Sequence, residues 1–93
     1  MFDRLADKIR RKVRAGEYVL PLHADEEMDD DGLTLADVEH TILTGRVTER
    51  QMDAATREAK YLICGRTATD RSIAIAAKLS PTGKVVIITV YAL

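Results

Sequence analysis

The last third of the chain constrains the fold most, because its apolar side chains alternate with a period of two on both sides of a turn. Four apolar side chains lie on one face of residues 71–79: Ile73, Ile75, Ala77 and Leu79. Residues 84–91 are β-branched on both faces, which is typical of a strand inside a sheet. Between these segments, Pro81 presets φ and Gly83 is free to adopt a positive φ. This pattern predicts an antiparallel hairpin with residues 59–64 on one side of it.

The first third of the chain has helical periodicity instead. Four apolar side chains recur at helical spacing, with Arg and Lys between them: Phe2, Leu5, Ile9 and Val13. They predict an amphipathic first helix over residues 1–16, followed by a short strand at 17–20. The acidic residues 23–31 predict a short helix or turn that Gly32 closes.

The clearest helix is predicted over residues 35–44. Thr34 is placed to cap it, Asp37 follows three residues later as in a capping box, and Gly45 stands at the C-terminal end. The polar residues 46–58 carry no clear signal for a helix or a strand. The predicted fold class is therefore α+β, with N-terminal helices packed on a small antiparallel β-sheet that ends in a meander.

Composition restricts the classes of protein to which the chain can belong. Hydrophobic residues make up 46% of its 93 residues, which suits one domain over residues 1–93 with its own core. Cys64 is the only cysteine, so no disulfide closes within the chain and a zinc cluster lacks its ligands. The first 14 residues lack the apolar run of a signal peptide, and the apolar run from Val85 is too short to cross a bilayer. These features predict a cytoplasmic protein with no membrane association, no metal and no cofactor.

The net charge of −1 conceals three segments of different charge. Residues 1–20 carry six Lys or Arg against three acids, residues 21–31 carry six acids and no Lys or Arg, and residues 32–93 carry a slight basic excess. Such patches attract oppositely charged protein surfaces or nucleic acid. We expect Arg10, Arg11 or Arg14 to lie near residues 26–31, within one chain or across a homodimer.

Three ordered sets of residues resemble a known family. They are His23-Ala24 with Met28, Gly32-Leu33-Thr34 and Asp37-Val38; Leu43-Thr44-Gly45 with Glu49; and Tyr61 to Gly65 with the later segment VIITVY that ends at Tyr91. In this order and spacing they resemble the bacterial domain-of-unknown-function family 4258, over roughly residues 18–92. That family is similar in fold to the BrnT and RelE-type toxins, small α+β proteins that cut RNA beside an antitoxin partner.

The resemblance implies a family-like α+β core over residues 17–92, preceded by the amphipathic helix at 1–16. It also implies contact with RNA or the ribosome, weak or partner-dependent ribonuclease activity, and a small antitoxin-like protein as partner. The chain departs from the family where many members have arginines, since Glu27 and Asp31 stand there instead. Carboxylates at these places work against binding a phosphate backbone.

Candidate site residues follow from this resemblance and from side-chain chemistry. His23 is the candidate general acid or base, because imidazole titrates near neutral pH, and Arg66 and Tyr91 are candidate groups facing a phosphate. Lys60, Arg66 and Lys84 are candidate nucleic-acid-binding residues. For His23 alone, a histidine packed at a helix start is the competing interpretation.

Two other functions stay open from the sequence. In the first, the chain is a non-catalytic protein-binding module whose acidic segment docks a basic partner or the first helix of another copy. In the second, the acids of residues 25–31 hold a divalent cation for a metal-assisted enzyme. The second is disfavoured, because with Gly32 at the sixth position of a calcium loop the twelfth is Val38 rather than Glu. A solvated acidic face explains these residues better.

Overall fold

The computed structural model describes residues 2–93 and has three helices and five strands. The helices are α1 (Asp3–Arg14), α2 (Leu22–Asp30) and α3 (Leu35–Thr44). The strands are β1 (Tyr18–Val19), β2 (Arg46–Met52), β3 (Ala59–Arg66), β4 (Ser72–Leu79) and β5 (Val85–Ala92). The strands form one sheet in the order β1-β5-β4-β3-β2. The predicted α+β class is confirmed.

The sheet is larger and more mixed than the sequence predicts. The hairpin of β4 and β5 is antiparallel with β3 on one side, as expected, and Gly83 has a φ of +86° in its turn. However, the polar segment 46–58 contains a full strand, β2, which pairs antiparallel with β3. β2 has no apolar alternation because most of its side chains are exposed, so periodicity does not reveal it. In addition, β1 runs parallel to β5 and makes the sheet mixed.

The core lies between the helices and one face of the sheet. It is aliphatic, as the scarcity of aromatic residues predicts, and its largest fully buried side chains are Ile9, Ile63, Ile73, Ile75 and Ile87. On β4 the expected alternation is only partly visible, because Ala74 and Ala76 on the opposite face are also buried. Their small side chains lie between larger neighbours on β3 and β5.

Helix α3 ends against β3 through two glycines. The capping box at its start is formed as predicted, with Asp37 N–H donating to Thr34 Oγ1 at 3.2 Å and Thr34 N–H donating to Asp37 Oδ2 at 2.9 Å. At its end Gly45 has a φ of −83°, so a left-handed cap is not what requires glycine there. A Cβ on Gly45 would lie 2.6 Å from the carbonyl oxygen of Cys64, and one on Gly65 would lie 2.9 Å from the Gly45 Cα. Close approach of two backbones therefore requires both glycines.

Candidate functional site

Helix α2 covers most of one edge of the sheet. β1 pairs with β5 only at Val85 and Val86, which leaves the rest of the outer edge of β5 without a neighbouring strand. α2 packs along this part of β5 and buries Ala24 and Met28 in the core. β5 was predicted to be a strand inside the sheet, and it has this position only where β1 adjoins it.

The side chains of His23 and Glu27 in α2 and of Asp31, the residue directly after α2, bind β5 at this edge, and we call these three the α2 ladder. His23 Nε2–H donates a hydrogen bond to the carbonyl oxygen of Ile88, since a carbonyl can only accept. The Thr89 hydroxyl donates to the Glu27 carboxylate, whose two oxygens lie 2.8 and 2.9 Å away. The α2 ladder ends at residue 31, whose carboxylate accepts from the backbone N–H of Ala92 at 3.3 Å.

The spacing of the α2 ladder matches the strand that it binds. His23, Glu27 and Asp31 are four residues apart, so they lie on one face of the helix. Eight residues of α-helix rise about 12 Å, and the four residues from Ile88 to Ala92 extend about 13 Å as a strand. The helix therefore supplies side-chain partners for an edge that no strand covers, and Arg71 Nη2 fixes its end by donating to the Asp31 carbonyl at 2.7 Å.

The α2 ladder changes the interpretation of three residues that the sequence singled out. His23 is exposed, but its Nε2 already has a partner in Ile88. Glu27 and Asp31, which stand where many family members have arginines, bind β5 rather than forming a free acidic surface. The signal that reveals this in the sequence is the spacing of 23, 27 and 31, although only the structure shows which strand faces them.

Arg66 and Tyr91 lie on the face of the sheet opposite the helices, which we call the open face. Cys64, Ala74 and Tyr91 lie opposite one another across β3, β4 and β5 on this face, and Tyr91 is 40% exposed. Arg66 follows Cys64 by two residues and therefore shares its face. Its guanidinium donates to Asp70 at 3.1 Å.

The structure does not gather the candidate catalytic residues around one cavity. Arg66 and Tyr91 are at the same end of the open face but two strands apart, about 10 Å in the direction of the interstrand hydrogen bonds. His23 lies outside β5, at the edge of the sheet. None of the cavities described below is lined by these three side chains. Their joint catalytic role stays a prediction.

The candidate nucleic-acid-binding residues divide between the two ends of the sheet. Lys60 is near the start of β3 and Arg66 at its end, six residues or about 20 Å away. Lys84 follows the turn between β4 and β5 and is exposed at the end nearer Lys60. Lys60 and Lys78 also line a small cavity of about 230 Å³, where Lys78 Nζ is 2.7 Å from a Glu58 carboxylate oxygen. These cations do not form one continuous basic surface around Arg66.

The opposite charges of the first two helices do not meet within the chain. Arg10 pairs with Asp7 at 3.3 Å on its own helix, and its other terminal nitrogen donates to the Gly45 carbonyl oxygen at 3.1 Å. No ion pair within residues 2–93 joins α1 to α2, so the expected contact within one chain is wrong. The version between two copies stays a prediction.

A groove that the sequence does not predict runs between α1 and β2, and we call it the α1–β2 groove. One part, of about 710 Å³, is lined by Phe2, Ala6 and Val47 together with the charged residues Asp3, Asp7, Arg10 and Arg46. A second part, of about 560 Å³, shares Phe2 and Asp3 and continues to Arg4, Leu5, Arg50 and Tyr61. β2 was itself not predicted, which is why sequence reasoning missed this groove.

Two other properties of the described chain bear on its chemistry. Among residues 2–93, no three His, Cys, Asp or Glu side chains are grouped so as to hold a metal ion. In the same part of the chain, no helix combines the length and apolar character needed to span a membrane. Cys64 is half-buried beside the Thr48 hydroxyl, with 3.6 Å between sulfur and oxygen.

Comparison with known proteins gives one match. No curated protein and no solved structure matches the chain. The model of the domain of unknown function DUF4258 matches residues 21–92, which include α2, α3 and strands β2 to β5. This match covers the α2 ladder and the open face, whereas α1 and β1 precede it. Because it extends over well more than half of the chain, the protein belongs to the DUF4258 family.

Proposed function

We propose that the chain is a non-catalytic protein-binding module. The observation that carries this proposal is the use of the α2 ladder: the side chains best suited to acid–base chemistry hold the edge of β5. A ribonuclease needs a free base for the attacking hydroxyl and cations around the phosphate. The His23 Nε2 is already bound to Ile88, and the nearest ladder neighbour of His23 is the Glu27 carboxylate.

The position of the cations supports the same proposal. Arg66 is paired with Asp70, and Lys60 lies about 20 Å from it along β3. A phosphate held beside His23 would therefore meet carboxylates of α2 more readily than these cations. Binding another protein needs no such convergence, since exposed strand edges and charged grooves suffice.

The test compares His23→Ala with Asp31→Ala and the conservative variant His23→Gln. We expect the purified protein to leave single-stranded RNA intact. His23→Ala removes one hydrogen bond to Ile88, so it should lower the free energy of unfolding by about 0.5–1.5 kcal/mol. Asp31→Ala, which removes the acceptor for the Ala92 N–H, should have a similar effect, and His23→Gln, which can still donate a hydrogen bond, a smaller one. Cleavage of RNA that His23→Ala abolishes without lowering the melting temperature would refute the proposal.

A second candidate function is contact with RNA or the ribosome, with toxin-like activity that depends on a partner. The observation in its favour is that Tyr91 and Arg66 share the open face at one end of the sheet, where an exposed aromatic ring can stack on a base. If this function holds, expression without a partner arrests growth, and Tyr91→Ala and Arg66→Ala each weaken binding of single-stranded RNA in fluorescence anisotropy. Unchanged RNA affinity in both variants excludes this surface.

A further inference from the structure

The edge of the sheet opposite α2, formed by β2, is not covered by a helix of the described chain. β2 is the last strand, and within residues 2–93 its only neighbouring strand is β3. Its side chains are exposed from Thr48 to Met52, so neither a helix nor a loop covers it. An uncovered edge presents unpaired N–H and C=O groups, which are a template for another extended chain.

The α1–β2 groove gives this edge a side-chain site. Phe2, Ala6 and Val47 provide an apolar lining, and Val47 packs partly against the core. A strand added beside β2 would direct alternate side chains toward the helix side of the sheet, where the groove lies. Main-chain hydrogen bonds and side-chain pockets would thus act on the same segment.

The charge of the α1–β2 groove indicates which kind of partner segment it can bind. Three exposed arginines line it without an ion-pair partner in the described part of the chain: Arg4, Arg46 and Arg50. Arg10 is already paired with Asp7, which leaves Asp3 as the one lining acid without such a pair. The groove is therefore electropositive, and a partner segment with carboxylates on the side that faces the groove is complementary to it.

A second copy of this chain fits the edge poorly. Antiparallel self-pairing centred on any residue from 48 to 51 sets like charges opposite each other: Arg46 with Arg50, Glu49 with Glu49, Arg50 with Arg50, or Glu49 with Asp53. Like charges directly opposite each other destabilise a strand pair. The extra residue at the bulge between Val47 and Glu49 also disturbs a regular ladder.

We propose that β2 and the α1–β2 groove together bind an extended acidic segment of a partner protein, which adds as a sixth strand beside β2. This inference rests on the proposed protein-binding function and names its surface. The seven residues of β2 match a partner segment of about the same length. Carboxylates of the segment contact Arg46 and Arg50, and an apolar side chain enters the pocket beside Phe2.

The test uses a fluorescein-labelled seven-residue peptide with Glu, Val and Glu at its second, fourth and sixth positions, which share one strand face, and Thr at the other positions. Fluorescence anisotropy should show that it binds the full chain, and that Arg46→Glu and Arg50→Glu each weaken binding about tenfold or more. The matched control is Arg14→Glu, because Arg14 is an exposed cation of α1, the helix that borders the groove, but does not line the groove itself. Arg14→Glu changes the net charge equally and should leave the affinity within about twofold.

Two further arms test the strand geometry and the source of the negative charge. A peptide with N-methylated backbone amides should lose binding, and the unmodified peptide should slow hydrogen exchange in β2 without affecting α2. Equal binding by the N-methylated peptide, equal binding by Arg50→Glu, or no binding at about 1 mM peptide would overturn the inference. Stronger protection of β2 by single-stranded RNA would also overturn it. The non-catalytic function fails on a different readout, which is RNA cleavage that depends on His23.

Discussion

Gly45→Ala tests the close approach of α3 to β3. The added Cβ would lie 2.5 Å from the Thr41 carbonyl oxygen and 2.6 Å from the Cys64 carbonyl oxygen. Both atoms belong to the backbone, so no side-chain rotation relieves the contacts. Relieving the Cys64 contact requires α3 and β3 to separate, and relieving the Thr41 contact requires the last turn of α3 to distort, although the Gly45 φ of −83° itself suits alanine.

The expected magnitude follows from these two contacts. Overpacking a closely packed site costs about 1–3 kcal/mol, and two collisions with the backbone place Gly45→Ala near the upper end of that range. A loss of about 3 kcal/mol lowers the melting temperature of a domain this size by about 12–24 °C. If the contacts were absent, the same substitution would stabilise the protein by about 0.4–1 kcal/mol, because alanine reduces the entropy of the unfolded chain. Whether Gly45→Ala lowers or raises the free energy of unfolding therefore decides whether these contacts exist.

The assay is urea denaturation of the wild-type protein, Gly45→Ala and the control Gly16→Ala. Gly16 has a φ of +74° and no atom within 4 Å of an added Cβ, so its variant reports backbone strain alone. We expect that control to lose about 1–2 kcal/mol. Unchanged or increased stability in Gly45→Ala would refute the close approach of the two backbones.

Three other substitutions test the core, β1 and the turn after β2. Ile75→Ala, in the central strand β4, should lower the free energy of unfolding by about 2–5 kcal/mol in urea denaturation, and a loss below about 1 kcal/mol would contradict its full burial. Burial and the nearby Glu39 carboxylate raise the pKa of Tyr18 above its ordinary 10.0, so its contribution to stability is complete below pH 10.0 and is lost as the pH rises through the raised pKa. Tyr18→Phe should therefore reduce the fall in melting temperature above that pH. An unchanged dependence of the melting temperature on alkaline pH would count against this effect of burial and Glu39 on Tyr18. Backbone hydrogen bonds, above all from Thr56, lower the pKa of Asp53 below its ordinary 3.8, so its contribution is present above pH 3.8 and is lost as the pH falls through the lowered pKa. Asp53→Asn should make the melting temperature less dependent on pH in that range. An equal pH dependence in the variant would show that the Asp53 carboxylate does not stabilise the turn.

Local signals predicted most of the elements. The capping box at Thr34, the alternation in β4 and the turn at Gly83 act over a few residues, so they can be recognised without knowing the fold. β2 was not predicted, because a strand on the sheet edge needs no apolar alternation when most of its side chains face solvent. The parallel pairing of β1 with β5 was not predicted, because it joins segments more than 60 residues apart in the sequence.

The sequence identifies the residues of the candidate site but not the groups on β5 that they bind. His23 and the acids at 27 and 31 were recognised as unusual from their chemistry and position. Their partners are the backbone and a hydroxyl group of β5, which no local pattern in α2 identifies. The same sequence period that marks one face of a helix thus fits either a free acidic surface or a ladder on a strand, and long-range packing decides between them.

The two edges of the sheet are protected from pairing with another copy in different ways. The α2 ladder binds two backbone groups of the outer edge of β5, at Ile88 and Ala92, and α2 packs along this edge, so another chain has little access there. β2 keeps its outer edge, but its bulge and its alternating charges at Arg46, Glu49 and Arg50 oppose pairing with an identical strand. Under the proposed binding function, such a strand resists self-association and still accepts a segment of complementary charge. An edge protected by charge rather than covered by a helix is therefore consistent with a surface kept available for a specific partner.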